Sequence, residues 1–451
     1  MASPILWQNK GKTVTLLDIP RSIAAAQGTL QQPCHDHVLS AAPLHAPFLS
    51  NEPKSEKARV KLRDNTMEQQ LHEEYARLLE QAVQEARGAH AREWCLPRPY
   101  VQDTPRLAKK RKLSDIIIPS TSATSSSSTN CERPGQPADL PPDLLPSLAH
   151  PGGQTVNLHR MRLRQTHSST GDSADEDMTV DPRLVANASA SAASLAVSTT
   201  TQSPIYRFRI PAQATCYLSD CSDARSFRAA IRAQAQQRDT RKAFDCILLD
   251  PPWPNRSVKR THQTAGSTYA TLATLHAVRA VLLGMDVDML MAEDCLVGVW
   301  ITNRPAVRDL VLGAHGGLFA CWGVELVEEW VWLKTTAHGE PVTQLDALWR
   351  KPYEVLLLGR KQRRASSRPA PPGGLDEVKR RVILSVPDLH SRKPCLKALV
   401  EPLMADADDY RALEVFARHL VAGWWSWGDE CIKFNWEGCW RGEDAEHTSP
   451  D

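Results

Sequence analysis

The chain has 451 residues, with 54 lysines and arginines against 52 aspartates and glutamates, a formal charge of +2, and 11 cysteines. That length leaves room for one catalytic core plus an extended amino-terminal half, while a net charge so near zero argues neither for nor against nucleic acid. Scattered cysteines without a Cys-x-x-Cys pair or a zinc-spaced Cys/His cluster argue against a disulfide framework or a metal, and with no long uncharged apolar run they predict a soluble protein of a reducing compartment.

Met67, Leu71, Tyr75, Leu78, Leu79, Ala82, Val83 and Ala86 recur at helical spacing, which predicts an amphipathic helix over about 66–87, capped by Asn65 with Glu68. Its apolar stripe is expected to dock on the core, with a protein partner as the alternative. The basic run Lys109-Lys110-Arg111-Lys112 suits a nuclear import signal, so the expected location is the nucleus, with the cytoplasm as a second place. Residues 1–118 are read as one amino-terminal region. From 119 to 204 serine, threonine, proline and alanine dominate, and an acidic patch runs through Asp172, Asp175, Glu176 and Asp177, so this stretch is expected to be disordered.

Order is expected to return over 205–440, before a flexible tail at 441–451. Short apolar runs lie at Thr215–Leu218, Phe244–Leu249, Cys295–Thr302, Val324–Leu333, Tyr353–Leu358, Arg381–Val386, Leu413–Phe416 and Cys431–Phe434, with helical patterns between several of them. Such alternation predicts an α/β fold with a doubly wound sheet.

Asp250-Pro251-Pro252-Trp253 follows the run Phe244–Leu249 directly, at the strand end where open α/β sheets carry functional residues. Consecutive prolines stiffen the exit and remove two backbone donors, leaving free carbonyls. With the Asp250 carboxylate beside them and the Trp253 ring as a stacking face, the set suits an exocyclic amine on a planar base. An aspartate ending an apolar strand also serves as a magnesium ligand in nucleotide hydrolases, but that needs a phosphate loop. The chain offers only Gly11-Lys12-Thr13, with Leu6 where the loop's first glycine belongs.

Taken with Ser257-Val258-Lys259-Arg260, Trp300-Ile301-Thr302-Asn303-Arg304, Lys351-Pro352-Tyr353-Glu354, Leu384-Ser385-Val386-Pro387, Leu389-His390-Ser391, Phe416-Ala417-Arg418 and Ser426-Trp427-Gly428, the motif resembles the Asp-Pro-Pro-Trp type N6-adenine methyltransferases, the MT-A70-like family. The resemblance covers about residues 205–436. It implies a permuted Rossmann-like core that binds S-adenosylmethionine, with the cofactor strand after the catalytic motif; consistently, no Gly-x-Gly pattern precedes Asp250.

By the same resemblance the cofactor contacts are Asp220 for the adenine, Asp250, Lys393 for the methionine carboxylate, Glu414 for the ribose hydroxyls, Arg418, and more weakly Asp429 and Glu430. The family has asparagine after the last motif's glycine, where this chain has Asp429, which keeps an acceptor but loses the amide donors. Arg256, Lys259, Arg260, Tyr269 and Asn303 are expected on the substrate side, with Arg360, Lys361, Arg363 and Arg364 as a second basic group for a polymer. The implied substrate is adenosine in RNA, notably an internal 2′-O-methyladenosine of a small nuclear RNA, with adenine in DNA as the competing reading. A non-catalytic nucleic-acid-binding or scaffold protein on the same fold is the reading from another class. Members of the family act alone or as heterodimers, so assembly as monomer or heterodimer stays open.

Overall fold

The computed structural model describes residues 3–49, 55–56, 60, 69–100, 144–149, 160–165, 183–198, 205–254, 274–347, 351–362, 378–389 and 392–442. The amino-terminal part contributes β1 (Ile5–Gln8), β2 (Val14–Leu17), α1 (Ile19–Ala25), β3 (His37–Val38) and α2 (Gln69–Ala89). The middle carries α3 (Leu144–Ala149), β4 (Arg160–Gln165), β5 (Leu184–Ala186), β6 (Ala193–Ser198), β7 (Tyr206–Ile210), β8 (Thr215–Tyr217) and α4 (Ala224–Arg238). Then come β9 (Phe244–Leu249), α5 (Leu275–Gly284), β10 (Met291–Ile301), α6 (Pro305–Leu312), α7 (Leu318–Trp322), β11 (Val324–Lys334) and β12 (Tyr353–Lys361). The last are β13 (Lys379–Ser385), α8 (Lys397–Val400), β14 (Ala412–Val415), β15 (Trp425–Trp427) and β16 (Trp440–Arg441).

Among the described residues eleven strands form one sheet in the order β1-β2-β13-β11-β12-β10-β9-β14-β15-β8-β5. Parallel pairing links β2 to β13 and β13 to β11, and again runs from β10 through β9, β14 and β15 to β8. Strand β12 is antiparallel to both neighbours, as are the edge strands β1 and β5 to theirs, so the sheet is mixed. One edge therefore collects the carboxyl ends of β13, β11, β10, β9, β14, β15 and β8 together with the start of β12.

Burial explains the strand sequences. In β9, Ile247 and Leu249 enter the cluster on one face while Cys246 and Leu248 enter the cluster on the other, which is why the run is apolar throughout rather than alternating. The first face is covered by α2, α4, α5, α6 and α7 through Leu79, Phe227, Leu282, Val311 and Trp322; the second by α1 and α8 through Ile23 and Val400. Between β9 and β10 the chain packs Val278 of α5 on the first face, whereas between β14 and β15 it packs Val421 and Trp424 on the second. The connections thus diverge at the β9/β14 boundary, a topological switch point of the kind that opens a ligand crevice.

Helix α2 forms where its periodicity places it. Tyr75, Leu79, Ala82, Val83 and Ala86 are buried against the sheet, so the stripe docks on the core. Three expectations need correction. Within the serine- and alanine-rich stretch expected to be disordered, β6 alternates buried Ala193, Leu195 and Val197 with half-buried Ser194, Ala196 and Ser198; period-2 patterning outweighs composition there. It pairs with β4 and β7 in a small second sheet, whose buried face packs on Leu218, Leu420 and Ile432. Cys431–Phe434 is not a strand, since Lys433–Asn435 is a 3-10 turn, and the strand beside β14 is Trp425–Trp427 instead. The amino-terminal residues also extend the main sheet, because Val14–Leu17 is buried along its length against β13. The basic run at 109–112 and the capping residues Asn65 and Glu68 lie outside the described residues.

Candidate active site

Asp250 leaves β9 at the switch point, its backbone N–H donating 3.3 Å to the Val415 carbonyl at the end of β14. The two prolines then turn the chain so that the Trp253 N–H donates to the Pro251 carbonyl at 2.8 Å. That bond uses one of the carbonyl's two lone pairs and leaves the other. The Trp253 indole N–H donates to the Trp300 carbonyl at 2.7 Å, and the ring is only 9% exposed. This corrects the expected open stacking face: burial in the core makes Trp253 the anchor of the turn. Arg304 secures the far side, donating to the Pro254 carbonyl at 2.9 Å.

A chain of alternating charges starts at Asp250. The Lys393 ammonium donates to both Asp250 oxygens at 3.1 Å and pairs with Glu354 at 3.1 Å, and Lys334 donates to Glu354 at 2.6 Å. These groups come from the ends of β9 and β11, the start of β12 and the segment after β13, brought together by the shared sheet edge. Burial works against the charge on Glu354, but Lys334 and Lys393 outweigh it and hold the carboxyl well below its ordinary range. Burial likewise opposes the Lys393 charge, and Asp250 with Glu354 outweigh it and raise that ammonium. The Trp300 and Trp332 rings lie 5.5 and 4.8 Å from Lys393 and Lys334, giving each cation an aromatic face.

Across the switch point the electrostatics reverse. Glu414 of β14 finds no hydrogen-bond or ionic partner among the described residues; burial first, then the Asp250 carboxylate, push it up to about 8. A carboxyl held this way gains from two O–H donors, and a vicinal diol supplies them, so the site fits the ribose of an adenosine cofactor. Next to it Phe416 adopts φ 59°, a left-handed backbone rare for a bulky residue, while its N–H donates to the Trp427 carbonyl at 2.8 Å. Such strain at the end of a cofactor-side strand is a mark of a constrained site.

Asp220, exposed after β8, accepts from the Ser222 N–H at 2.8 Å. Asp429 is raised by burial and then by Glu430, with Asp220 and Arg418 adding smaller effects of opposite sign. Glu430 is paired with Arg418 at 3.3 Å and Lys433 at 2.8 Å. Asp220, Glu414, Arg418, Asp429 and Glu430 thus gather round the ends of three adjacent strands, but the last glutamate and Arg418 neutralise one another there.

Asn303, at the end of β10, donates through its amide to the Tyr353 carbonyl at 2.7 Å, while its Oδ1 is buried without a partner among the described residues. Arg256, Lys259, Arg260 and Tyr269 lie outside the described residues, as do Arg363 and Arg364. Arg360 and Lys361 are on the opposite edge, because β12 runs against its neighbours. There Arg360 donates to the Asp294 and Leu403 carbonyls at 2.9 and 2.7 Å, and Lys361 to the Asp288 carbonyl at 2.9 Å, so both hold loops and lie far from the crevice. Sequence reasoning missed Lys334, Glu354 and Arg304 as site residues. Glu354 and Arg304 stood inside segments of the family likeness, whereas nothing local marks Lys334.

The described residues form an open α/β protein with two acidic groups at a switch point, one held by a lysine and one with burial and a like charge beside it. Residues 244–430 match the MT-A70 family model. The N6-methyladenosine RNA methyltransferase MTA1 of Pyricularia oryzae is 45% identical over 207 residues, 46% of this chain and 51% of that protein. The N(6)-adenine-specific methyltransferase METTL4 of Homo sapiens is 39% identical over 197 residues, 43% of this chain and 39% of that one. A DNA N6-methyl methyltransferase of Caenorhabditis elegans is 30% identical over 226 residues, 50% and 53% of the two chains. The chain spans about half the length, or less, of these relatives.

Proposed function

We propose that this protein transfers a methyl group from S-adenosylmethionine to the N6 amine of adenine in a nucleic acid, with RNA as the polymer. The observation that carries this reading is the pair of acceptors at the end of β9, the Asp250 carboxylate and the remaining lone pair of the Pro251 carbonyl, beside the partly buried Glu414 of the adjacent strand, which feels the Asp250 charge. When bound, the cofactor supplies an electrophilic methyl on its sulfonium. An adenine amine is a weak nucleophile, since its lone pair is shared with the ring. Asp250 and Pro251 accept hydrogen bonds from its two N–H groups, return density to nitrogen and turn the lone pair out of conjugation. Asp250 stands where it can receive the proton the methylated nitrogen gives up.

Lys393 fixes the Asp250 carboxylate through both oxygens, and Glu354 with Lys334 fixes Lys393. An ammonium has three donors, and the two Asp250 oxygens and Glu354 engage all three, so a cofactor carboxylate at Lys393 would share or displace one of them. Glu414 takes the ribose diol. The Asn303 Oδ1, buried and without a partner among the described residues, is the acceptor left for a donor on the base.

RNA is favoured by the 45% identity to a protein named for N6-methyladenosine in RNA, and DNA by the weaker likeness to one named for DNA. Within RNA we place first an adenosine with a methylated 2′ oxygen, in small nuclear RNA, and we place the protein in the nucleus on the strength of Lys109–Lys112. Labelled S-adenosylmethionine, offered with matched RNA, 2′-O-methyladenosine RNA and DNA oligonucleotides, tests the reading. Label as N6-methyladenine in RNA alone supports it, label in DNA alone moves the substrate, and no label in any polymer while the cofactor binds leaves a scaffold role.

A further inference from the structure

Helix α2 lies outside the segment that matches the family, yet its side chains reach the first residue of β12, next to the catalytic charges. His72 Nδ1 shares a 3.0 Å hydrogen bond with the Tyr353 hydroxyl, and the two rings lie nearly parallel at 23°. Tyr75 packs edge-on against Tyr353, 5.8 Å between centroids, and donates its own hydroxyl to Glu329 at 2.8 Å. Glu329, 2% exposed, is further held by Arg308 and by Arg380 at 3.1 Å, and Arg380 returns to Glu74 of α2 at 3.0 Å. Two tyrosines, a histidine and an ion cluster therefore clamp α2 to β11, β12 and β13.

What they clamp matters to the site. The Tyr353 carbonyl accepts the Asn303 amide, which fixes that side chain with Oδ1 as its unpartnered acceptor; the next residue, Glu354, pairs with the lysine that holds Asp250. Docking alone needs only the buried stripe of Leu79, Val83 and Ala86. The polar contacts add direction at one residue, and the second nitrogen of His72 is left buried without a partner among the described residues. Burial, then Lys351, lowers His72 to about 4, so its ring is neutral under ordinary conditions and acts through placement rather than charge.

We propose that α2 is a positioning element of the methyl-transfer site, with His72 and Tyr353 as positioning residues that set Glu354 and Asn303; the proposal rests on the functional reading above. Steady-state kinetics of the full chain test it with His72→Leu, Tyr353→Phe, their double variant and His72→Asn, whose amide reaches the place of Nδ1. Small misplacement of reacting groups is costly, so each of the first two is expected to lower kcat about tenfold with the KM for S-adenosylmethionine unchanged. The double variant is expected to lose no more than either single one, and His72→Asn to recover most of the rate. Thermal melting and hydrogen exchange over residues 353–358 accompany each variant. A wild type that transfers methyl groups while His72→Leu equals it, or losses that multiply, escape rescue and track the melting temperature, overturns the positioning role alone. A wild type without transfer removes the functional reading and this proposal together.

Discussion

The two walls of the crevice treat their carboxylates in opposite ways. On the β9 side Asp250 and Glu354 are saturated by Lys393 and Lys334, four alternating charges within contact distance. On the β14 side Glu414 is left with burial and a like charge, and is pushed up to about 8. A paired carboxylate is preorganised and keeps its orientation through a reaction; an unpaired one is costly until a ligand brings donors. In the proposed function the first arrangement serves the chemistry and the second the binding.

The largest effect expected from breaking this contrast is at Asp250. Asp250→Ala should lower methyl transfer about a thousandfold, the scale of removing one preorganised polar group, with affinity for the cofactor within a few-fold of wild type; single-turnover assays and calorimetry read the two. Glu354→Gln comes next. It leaves Lys393 and Lys334 without a shared counter-charge, and because the site is only part-buried the expected loss is about 2 kcal/mol of stability with a slower transfer rate, measured by denaturant melts beside kinetics.

Glu414→Gln sharpens the comparison through pH. With the folded carboxyl near 8 against an ordinary 4.5, the folded state keeps a proton that the unfolded chain gives up. The stability tied to this group is therefore full below about 4.5 and is lost as pH rises through about 8. Glu414→Gln should accordingly be more stable than wild type at pH 9, by about 2–4 kcal/mol, and the gap should close near pH 4, as thermal melts across pH would show. In wild type, cofactor affinity should rise as pH climbs towards 8. The smallest effect is expected at the far edge. Arg360→Ala should cost about 1–2 kcal/mol through its lost carbonyl contacts and leave nucleic-acid affinity unchanged in a filter-binding titration.

The acceptor side was legible where chemistry sits within a few neighbouring residues. Asp250-Pro251-Pro252-Trp253 at the end of a buried run pointed to the site, and the alternation of runs pointed to the sheet. The lysine and glutamate that hold Asp250 in place come from segments more than a hundred residues further on, and only the register of β9, β11, β12 and β13 brings them together. Arg360 and Lys361 read as a polymer-binding group because the sequence does not say that β12 runs against its neighbours. Three apolar residues and a lysine at 431–434 read equally as strand or buried turn, since so short a run carries no period. Composition concealed β6, whose alternation is clear once every second position is taken.

The most direct test of this division is a paired measurement on Asp250→Ala and Glu414→Gln: cofactor affinity by calorimetry, and transfer rate at saturating cofactor. The account predicts that Asp250→Ala binds the cofactor and fails to transfer, while Glu414→Gln binds at least about tenfold more weakly and transfers near the wild-type rate once saturated. If both variants lose the same quantity, or if Asp250→Ala transfers normally, the two walls do not have separate tasks and the account is wrong.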